Sequence, residues 1–197
     1  MKGYYFLNKY YNDQGVRSIT DQVPDDDPRW QKANIRGELV EDGKYEGTID
    51  TNIRNVDLVR LGSMKSPSFS RDLDWVARQA NALYFGYDIW SVVQIDMLRY
   101  QADDEGGNQF YDWHVDTDFW SKNHAERKLT IIIQLSDEND YEGGDLEFGT
   151  ASIDEGHNFR AKGSIICFPA PWSHRITPVT KGVRKSIVAW AEGPPWR

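Results

Sequence analysis

The sequence lacks several features that would assign it to a special class of protein. It has one cysteine, Cys167, so no disulfide can form within the chain. No apolar run is long enough to cross a bilayer, and the opening residues "MKGYYFLNKYYNDQG" do not resemble a signal peptide. Basic residues are scarce: the chain has 23 Lys and Arg against 31 Asp and Glu, which gives a net charge of −8. This charge argues against a nucleic-acid partner. We therefore expect a cytoplasmic protein without a membrane or nucleic-acid partner.

Aromatic residues, in contrast, are abundant. They make up 13% of the 197 residues, and 39% of all residues are hydrophobic, enough for a single domain over residues 1–197. Residues 70–86 predict a helix, with Ser70 as N-cap, apolar residues at helical spacing and a glycine at the end. The polar stretches 21–29 and 101–109 predict mobile connections.

From about residue 90 onwards, short segments rich in β-branched and aromatic residues alternate with turn signals. These segments are "WSVVQIDMLRY", "FYDWHVD", "RKLTIIIQLS", "GDLEFGT", "GSIICFPA", "HRITPV" and "VRKSIVAW". Many short strands in half a small chain indicate a β-sandwich or barrel. The predicted fold is mainly β with flanking helices: residues 1–90 form an N-terminal helical layer, and residues 91–192 form the β core.

The segment "YDWHVDTDFW" places His114 and Asp116 two residues apart. In a strand these two side chains share one face with Asp112, whereas Trp113 faces the opposite side and is predicted to pack in the core. A histidine beside a carboxylate is more often a structural hydrogen bond than a metal site. His174 changes this interpretation, because two histidines and one aspartate with open positions are the facial ligand set of non-heme Fe(II) oxygenases.

Arg184 follows His174 by ten residues, in the predicted strand "VRKSIVAW". Strand alternation puts Arg184 on one face with Ser186, Val188 and Trp190. A guanidinium on an inward face requires an anion, and its planar fork binds a carboxylate with two hydrogen bonds. A dicarboxylate that chelates a metal at its other end would supply this anion.

The resemblance to a known family rests on three segments: "QIDMLRYQADDEGGNQFYDWHVD", "RKLTIIIQLSDENDYEGGDLEF" and "GSIICFPAPWSHRITPVTKGVRKSIVAW". Together they resemble the Fe(II)- and 2-oxoglutarate-dependent dioxygenases of the prolyl 4-hydroxylase-like branch. The resemblance implies a double-stranded β-helix (jelly-roll, cupin-like) core. It implies Fe(II), 2-oxoglutarate and O2 as cofactors and leaves a requirement for ascorbate open. The implied reaction is hydroxylation of an unactivated C–H bond, with release of succinate and CO2; a prolyl residue of a peptide or protein is the leading substrate.

Position by position, the resemblance implies specific roles for residues of this chain. The iron ligands would be His114, Asp116 and His174, and Arg184 would bind the distal carboxylate of 2-oxoglutarate. The residues implied to contact or line the co-substrate site are Tyr100, Thr130 and Gln134. Several relatives carry an aromatic residue at the position of Gln134. The aromatic candidates for stacking on a proline ring at the substrate mouth are Tyr111, Phe119, Trp120, Trp172 and Trp190.

Other functions stay open at this point. The same chemistry could act on a free amino acid or another small molecule, since the prolyl substrate rests on analogy between folds. A cupin-like binding module would not release succinate. A zinc hydrolase would need a general base beside the metal, for which Asp112 is the candidate. A nucleic-acid demethylase would be expected to carry a second arginine soon after Arg184, and residues 185–196 contain none. The oligomeric state cannot be predicted.

Overall fold

The computed structural model describes residues 3–39, 45–61, 67–103, 107–117, 125–149 and 153–196. Its helices are α1 (Asp13–Thr20) and α2 (Pro67–Ala80), and α2 continues as a π-helical turn over Asn81–Phe85. The strands of the described residues are β1 (Tyr5–Leu7), β2 (Gln31–Lys32), β3 (Ile35–Leu39), β4 (Tyr45–Thr48), β5 (Arg54–Asn55), β6 (Asp57–Arg60), β7 (Ser91–Gln101), β8 (Phe110–His114), β9 (Glu126–Gln134), β10 (Tyr141–Gly143), β11 (Leu146–Phe148), β12 (Ile165–Pro169), β13 (His174–Ile176) and β14 (Val179–Gly193).

Two antiparallel sheets form the body of the protein. The larger sheet has the strand order β1-β12-β9-β14-β7-β6-β2, and β10 pairs with β14 beside this path. The smaller sheet has the order β11-β13-β8-β5, and β3 with β4 forms a separate hairpin. The pairings are antiparallel throughout the described strands. This architecture confirms the predicted mainly β fold with flanking helices.

The larger sheet separates two apolar clusters. Its strands alternate: Ile187 and Ala189 of β14 belong to the cluster beneath the helices, whereas Val188 and Trp190 belong to the cluster between the two sheets. On the helix side the buried residues of α1 and α2 are Val16, Ile19, Phe69, Leu73, Val76, Ala77 and Ala80. The space between the sheets is therefore the place where inward-facing polar groups of β9 and β14 meet those of β8 and β13.

The N-terminal region is less helical than predicted. Both helices cover the larger sheet, but β1, β2 and β6 extend this same sheet, and β5 extends the smaller one. Strand β1 pairs with β12 through Phe6 and Ile166. Residues 1–90 thus contribute strands to the core as well as a helical layer.

The predicted helix differs at both ends from helix α2. It begins at Pro67, a residue favoured in the first turn, so Ser70 lies inside the helix and is not its N-cap. Gly86 ends the π-helical turn with φ +67°, and its N–H donates to the Asn81 carbonyl at 2.8 Å. The turn displaces Leu83 from the packed face, and 63% of this residue is exposed.

Among the described residues, neither helix has the length and apolar character needed to span a membrane.

The acidic stretch 21–29, predicted to be a mobile connection, is anchored on the body of the protein. Val23 is buried, and the indole N–H of Trp30 donates to the Pro24 carbonyl at 2.9 Å. The guanidinium of Arg99 lies 4.3 Å from the centre of the Trp30 ring and donates to the Asp25 carbonyl at 2.8 Å. The prediction of a mobile connection was wrong, because it took no account of the burial of Val23 or of the contacts with Arg99 on β7.

The stretch 101–109, the other predicted mobile connection, is held by Asp57 through Gln109. Gln109 is buried; its Nε2 donates to the Asp57 carboxylate at 3.3 Å, and its Oε1 accepts from the N–H of Gln101 at 3.0 Å. Asp57 also pairs with Lys32 at 3.0 Å and with Arg99 at 3.5 Å. Burial opposes ionisation of Asp57, but the hydrogen bonds from Lys32 and Gln109 and the charges nearby lower its pKa.

We predict that Asp57→Ala lowers the free energy of unfolding by about 1–3 kcal/mol, because several partly buried donors lose their acceptor together. Urea denaturation measures this change. The control is Asp13→Ala, whose side chain is 68% exposed and pairs with Lys162; its effect on stability should be much smaller, because exposed ion pairs are screened by solvent. Equal effects of the two variants would contradict the role given to Asp57.

Candidate metal centre and its pocket

His114, Asp116 and His174 come together at one end of the smaller sheet. His114 ends β8, His174 begins β13, and the two residues pair directly. The N–H of Asp116 donates to the Ala170 carbonyl at 2.9 Å. Nε2 of His114 lies 3.6 Å from Oδ1 of Asp116, and Nε2 of His174 lies 3.5 Å from Oδ2. One ligand atom from each residue lies within 4.8 Å of the other two, so a single ion between them can be bound by all three.

Both histidines are held in the form that a metal requires. Nδ1 of His114 lies 2.7 Å from the Asp112 carbonyl oxygen, and Nδ1 of His174 lies 2.9 Å from the Trp172 carbonyl oxygen. A carbonyl oxygen only accepts hydrogen bonds, so each Nδ1 carries the proton. Each Nε2 is then left with a free lone pair directed at the centre of the cluster.

The carboxylate of Asp116 is also oriented, by the hydroxyl of Thr130, which donates to its Oδ2 at 2.7 Å. Burial opposes ionisation of Asp116, but His174, His114, Arg127 and the Thr130 hydroxyl outweigh it and lower the pKa to about 2. Burial, reinforced by His174, lowers the pKa of His114 to about 4. A neutral His114 imidazole beside an ionised carboxylate at neutral pH fits a divalent iron.

A β-bulge interrupts the alternation that was predicted for β8. His174 pairs with His114 and Ile176 pairs with Tyr111, so one strand carries an extra residue between the two pairs. Tyr111 therefore lies on the same side as His114, and the two rings stack with centroids 3.4 Å apart and planes 12° apart. Strict strand alternation would have placed these two residues on opposite faces.

The bulge also moves Trp113 and Asp112 away from their predicted places. Trp113 is 43% exposed, and the guanidinium of Arg175 lies 4.8 Å from its ring centre, so it is not a core residue. Asp112 is exposed, and its carboxylate accepts from the N–H of Trp113 at 2.8 Å. Asp112 is consequently poorly placed as a general base for a zinc hydrolase.

A narrow cavity of about 30 Å³ connects the three candidate ligands with Arg184. Arg184 is buried, and its Nη1 donates to the Ser186 hydroxyl at 3.3 Å. Among the described residues, no carboxylate forms an ion pair with Arg184, so this end of the cavity is complementary to an anion. Tyr100 is buried with its ring centre 5.4 Å from the guanidinium; burial raises its pKa, although Arg184 opposes this, and the phenol stays protonated. The other residues lining the cavity are Arg54, Leu98, Tyr111, Ile132, Ile176, Val188 and Trp190.

A larger cleft of about 520 Å³ meets this cavity. The residues that line both spaces, which we call the neck, are Arg54, Tyr111, Asp116 and Trp190. The guanidinium of Arg127 lines the cleft 3.8 Å from the centre of the Trp190 ring and donates to Gln94 at 3.0 Å. Sequence reasoning missed Arg54 and Arg127. Arg127 lies between Glu126 and Lys128 at the start of β9, so no local pattern in the sequence singled it out.

The remaining predicted site residues lie in different surroundings. Trp172 packs edge-on against Phe148 with ring centroids 5.7 Å apart, and it is not among the described residues that line either space. Gln134 is buried beyond the Arg184 end of the cavity. Phe119 and Trp120 lie outside the described residues.

Trp196 is a further residue that sequence reasoning missed. Its indole N–H donates to the hydroxyl of Thr117 at 3.2 Å, and its backbone N–H donates to the carboxylate of Glu126 at 3.1 Å. Thr117 directly follows Asp116, and both Thr117 and Glu126 line the cleft. Trp196 therefore fixes the residue next to a candidate ligand and the first residue of β9. No local pattern in the sequence indicated this contact.

We predict that Thr130→Val weakens Fe(II) binding about tenfold, because the carboxylate of Asp116 loses the donor that orients it. The dissociation constant is measured by anaerobic Fe(II) titration. Thr130→Ser keeps the hydroxyl and serves as the matched control, so it should bind Fe(II) nearly as well as the unsubstituted protein. An unchanged dissociation constant in the valine variant would show that the Thr130 hydroxyl does not support the site.

Comparison with known proteins connects this site to a family. Residues 95–192, about half of the chain, match the 2OG-Fe(II) oxygenase superfamily. Over 93 residues the chain is 38% identical to a PKHD-type hydroxylase from Synechococcus sp., which covers 47% of this chain and 39% of the relative. A PKHD-type hydroxylase from Idiomarina loihiensis is 29% identical over 101 residues, covering 51% of this chain and 43% of that relative. The match spans less than half the length of these curated relatives.

Solved structures show the same fold over nearly the whole chain. A prolyl-4-hydroxylase from Pseudomonas putida aligns with a TM-score of 0.70 at 15% identity, covering 97% of this chain and 92% of that one. A prolyl hydroxylase from Trichoplax adhaerens, in complex with a hypoxia inducible factor peptide fragment, aligns with a TM-score of 0.64 at 14% identity, covering 97% and 84%. The shared double-stranded β-helix fold and the match over its core lead to one conclusion: the chain belongs to the 2OG-Fe(II) oxygenase superfamily.

Proposed function

We propose that the protein is an Fe(II)- and 2-oxoglutarate-dependent dioxygenase that hydroxylates a prolyl residue of a peptide or protein. One observation carries the proposal: His114, Asp116 and His174 converge at one end of a narrow cavity, and the buried Arg184 lies at its other end. The reaction would convert R–H, 2-oxoglutarate and O2 into R–OH, succinate and CO2.

In this proposal the protein binds and orients the reactants, and bound iron with 2-oxoglutarate supplies the oxidising chemistry. The imidazole Nε2 atoms of His114 and His174 and the carboxylate of Asp116 would hold Fe(II). Arg184 would bind the distal carboxylate of 2-oxoglutarate, and the apolar side chains of Ile132 and Val188 would exclude water between the two ends.

Side-chain acid or base catalysis is not required for this reaction, and the tyrosines near the metal agree with that. Burial raises the pKa of Tyr111 to about 12, although Arg54 opposes this shift, and burial also raises the pKa of Tyr100. Both phenols would stay protonated at neutral pH. They would line the cavity and donate hydrogen bonds, and they would not accept protons.

The neck supports a peptide as the substrate. Nε of Arg54 and the indole Nε1 of Trp190 are buried and have no hydrogen-bond partner among the residues that the structure describes. Because buried donors without acceptors are costly, a ligand that brings an acceptor oxygen to the neck is favoured. The carbonyl groups beside a peptidyl proline would supply such oxygens. The cleft of about 520 Å³ is also much larger than one proline ring, so flanking residues of a peptide would fit.

Guanidinium groups beside the neck fit the carbonyl oxygens of a peptidyl proline. Arg54 and Arg127 both line the cleft at this point. Their N–H groups can donate to uncharged peptide carbonyls as well as to a carboxylate, so the comparison with free proline is made by assay. The peptide bound by the Trichoplax adhaerens structural relative supports the same substrate class.

We predict that anaerobic addition of Fe(II) and 2-oxoglutarate produces a weak visible metal-to-ligand charge-transfer band. His174→Ala should abolish the band because a ligand is lost. Arg184→Ala should raise the dissociation constant for 2-oxoglutarate at least about tenfold, because a charge-assisted bidentate contact is lost. Arg17→Ala, an exposed residue of α1, is the matched control and should bind 2-oxoglutarate normally. A folded, metal-loaded protein without the band would contradict the proposal.

We also predict that proline-containing peptides gain the mass of one oxygen atom, with one succinate formed per hydroxylation, and that free proline reacts far more slowly. Mass spectrometry and succinate assays, with and without ascorbate, measure both products. Trp190→Phe should raise the KM for the peptide, because an aromatic ring is kept but the five-membered ring of the indole and its N–H donor are lost. Succinate release with free proline as the better substrate would refute the peptide assignment alone. Succinate release from none of the candidates would favour a binding module.

A further inference from the structure

A buried polar group lies just beyond the Arg184 end of the co-substrate cavity, in the part of the chain that the structure describes. Gln134 is 2% exposed; its Nε2 donates to the Tyr141 hydroxyl at 3.1 Å and to the Ser136 carbonyl at 3.2 Å. Its Oε1 is buried, and none of the described residues forms a hydrogen bond with it. A buried amide oxygen in this state is costly, so this end of the cavity is incomplete without a polar ligand or a bound water.

We propose that Tyr141 supplies the second polar contact to the distal carboxylate of 2-oxoglutarate, and that Gln134 holds the Tyr141 hydroxyl in position. The inference rests on the proposed function, because it takes Arg184 as the first contact. A tyrosine at position 134 would offer a hydroxyl, but this chain has Gln134 there. In the proposal the hydroxyl comes instead from Tyr141 on β10.

Tyr141 and Arg184 are neighbours on paired strands. Tyr141 pairs with Gly182, two residues before Arg184 along β14, and Tyr141 is 3% exposed. Gly144 shows how closely the two side chains approach each other: a Cβ on this residue would lie 2.9 Å from Cδ of Arg184 and 3.3 Å from the Tyr141 ring. Gly144 has a φ of +65° and leaves the room that both side chains occupy.

A second cavity joins these residues behind the guanidinium. It measures about 20 Å³ and is lined by Gln134, Tyr141 and Arg184, among others. It shares Ile132 and Arg184 with the cavity that leads to the candidate metal ligands, so the Arg184 side chain lies between the two spaces. The volume holds about one water molecule or one carboxylate oxygen. A distal carboxylate bound to the guanidinium would reach the space lined by Tyr141 only where the two cavities meet, at Ile132 and Arg184.

The hydrogen-bond directions fit this arrangement. The Tyr141 oxygen accepts from Gln134, and no acceptor for the phenolic proton is found among the described residues, so this proton can be donated to a carboxylate. Such a bond is charge-assisted. Oε1 of Gln134 cannot contact the carboxylate directly, because both groups are acceptors. A water in the same cavity would donate to both.

The experiment compares two keto acids in the variant Tyr141→Phe, which keeps the ring and removes only the hydroxyl. Anaerobic titration of the Fe(II)-loaded protein, followed through the charge-transfer band, gives the dissociation constants. We expect the constant for 2-oxoglutarate to rise about five- to tenfold. Pyruvate chelates a metal in the same way but lacks a distal carboxylate. Its dissociation constant, and that of Fe(II) alone, should stay unchanged.

Two further variants separate a specific contact from a structural role. Gln134→Leu should weaken 2-oxoglutarate binding less than Tyr141→Phe does, and adding it to Tyr141→Phe should have no further effect, because both act through one hydroxyl. Tyr11→Phe removes a tyrosine hydrogen bond to Asp72 on the helix side and should leave the binding of 2-oxoglutarate unchanged.

Two outcomes would overturn the inference: an unchanged 2-oxoglutarate constant in Tyr141→Phe, or equal weakening of 2-oxoglutarate and pyruvate, which would mark Tyr141 as structural. Failure of the proposed function looks different, because the unsubstituted protein would then give no charge-transfer band. Thermal denaturation of each metal-free variant shows that it is folded before the titration begins.

Discussion

The direct pairing of His114 with His174 is the contact on which the site depends. Each ring is first oriented within its own segment, because each Nδ1 donates to the carbonyl oxygen two residues earlier in the chain. The pairing of β8 with β13 then brings two imidazoles together that are already turned correctly. The bulge in this ladder adds the Tyr111 ring, which stacks on His114 and separates it from the cleft. One irregular pair of short strands thus positions both candidate histidine ligands and one residue of the neck, Tyr111.

The larger sheet supplies the rest of the site through the two-residue period of its strands. Trp190 pairs with Thr130, and Ser186 pairs with Gln134, so the polar groups of β9 and β14 project as matched rows from the same face. The opposite face carries aliphatic side chains beneath α1 and α2. Helix α2 packs on that face, and its residues Leu73 and Val76 are buried there. The inward polar groups of the larger sheet therefore lie on its other face, between the two sheets, where β8 and β13 of the smaller sheet place the histidines. The apolar face under the helices and the polar groups between the sheets therefore both follow from the two-residue alternation of the strands in the larger sheet.

This division explains which features the sequence could predict. The strands from residue 91 onwards, the inward row that begins with Arg184 and the cluster of two histidines and Asp116 follow from local patterns, and the structure contains all of them. The exposed Trp113 was missed because strict alternation cannot indicate a bulge, which depends on the partner strand. The π-helical turn that exposes Leu83 and the contact between Trp196 and Thr117 also depend on distant parts of the chain. Local periodicity carries no information about such contacts.

Charge balance gives the site its final constraint. In the proposed complex, the charges of a divalent iron and Arg184 are cancelled by Asp116 and the two carboxylates of 2-oxoglutarate. A buried site that is neutral once loaded penalises a substrate that brings a net charge to the reacting carbon. An uncharged ring flanked by carbonyl groups would meet this condition, and its carbonyl oxygens would accept hydrogen bonds from the donors of the neck.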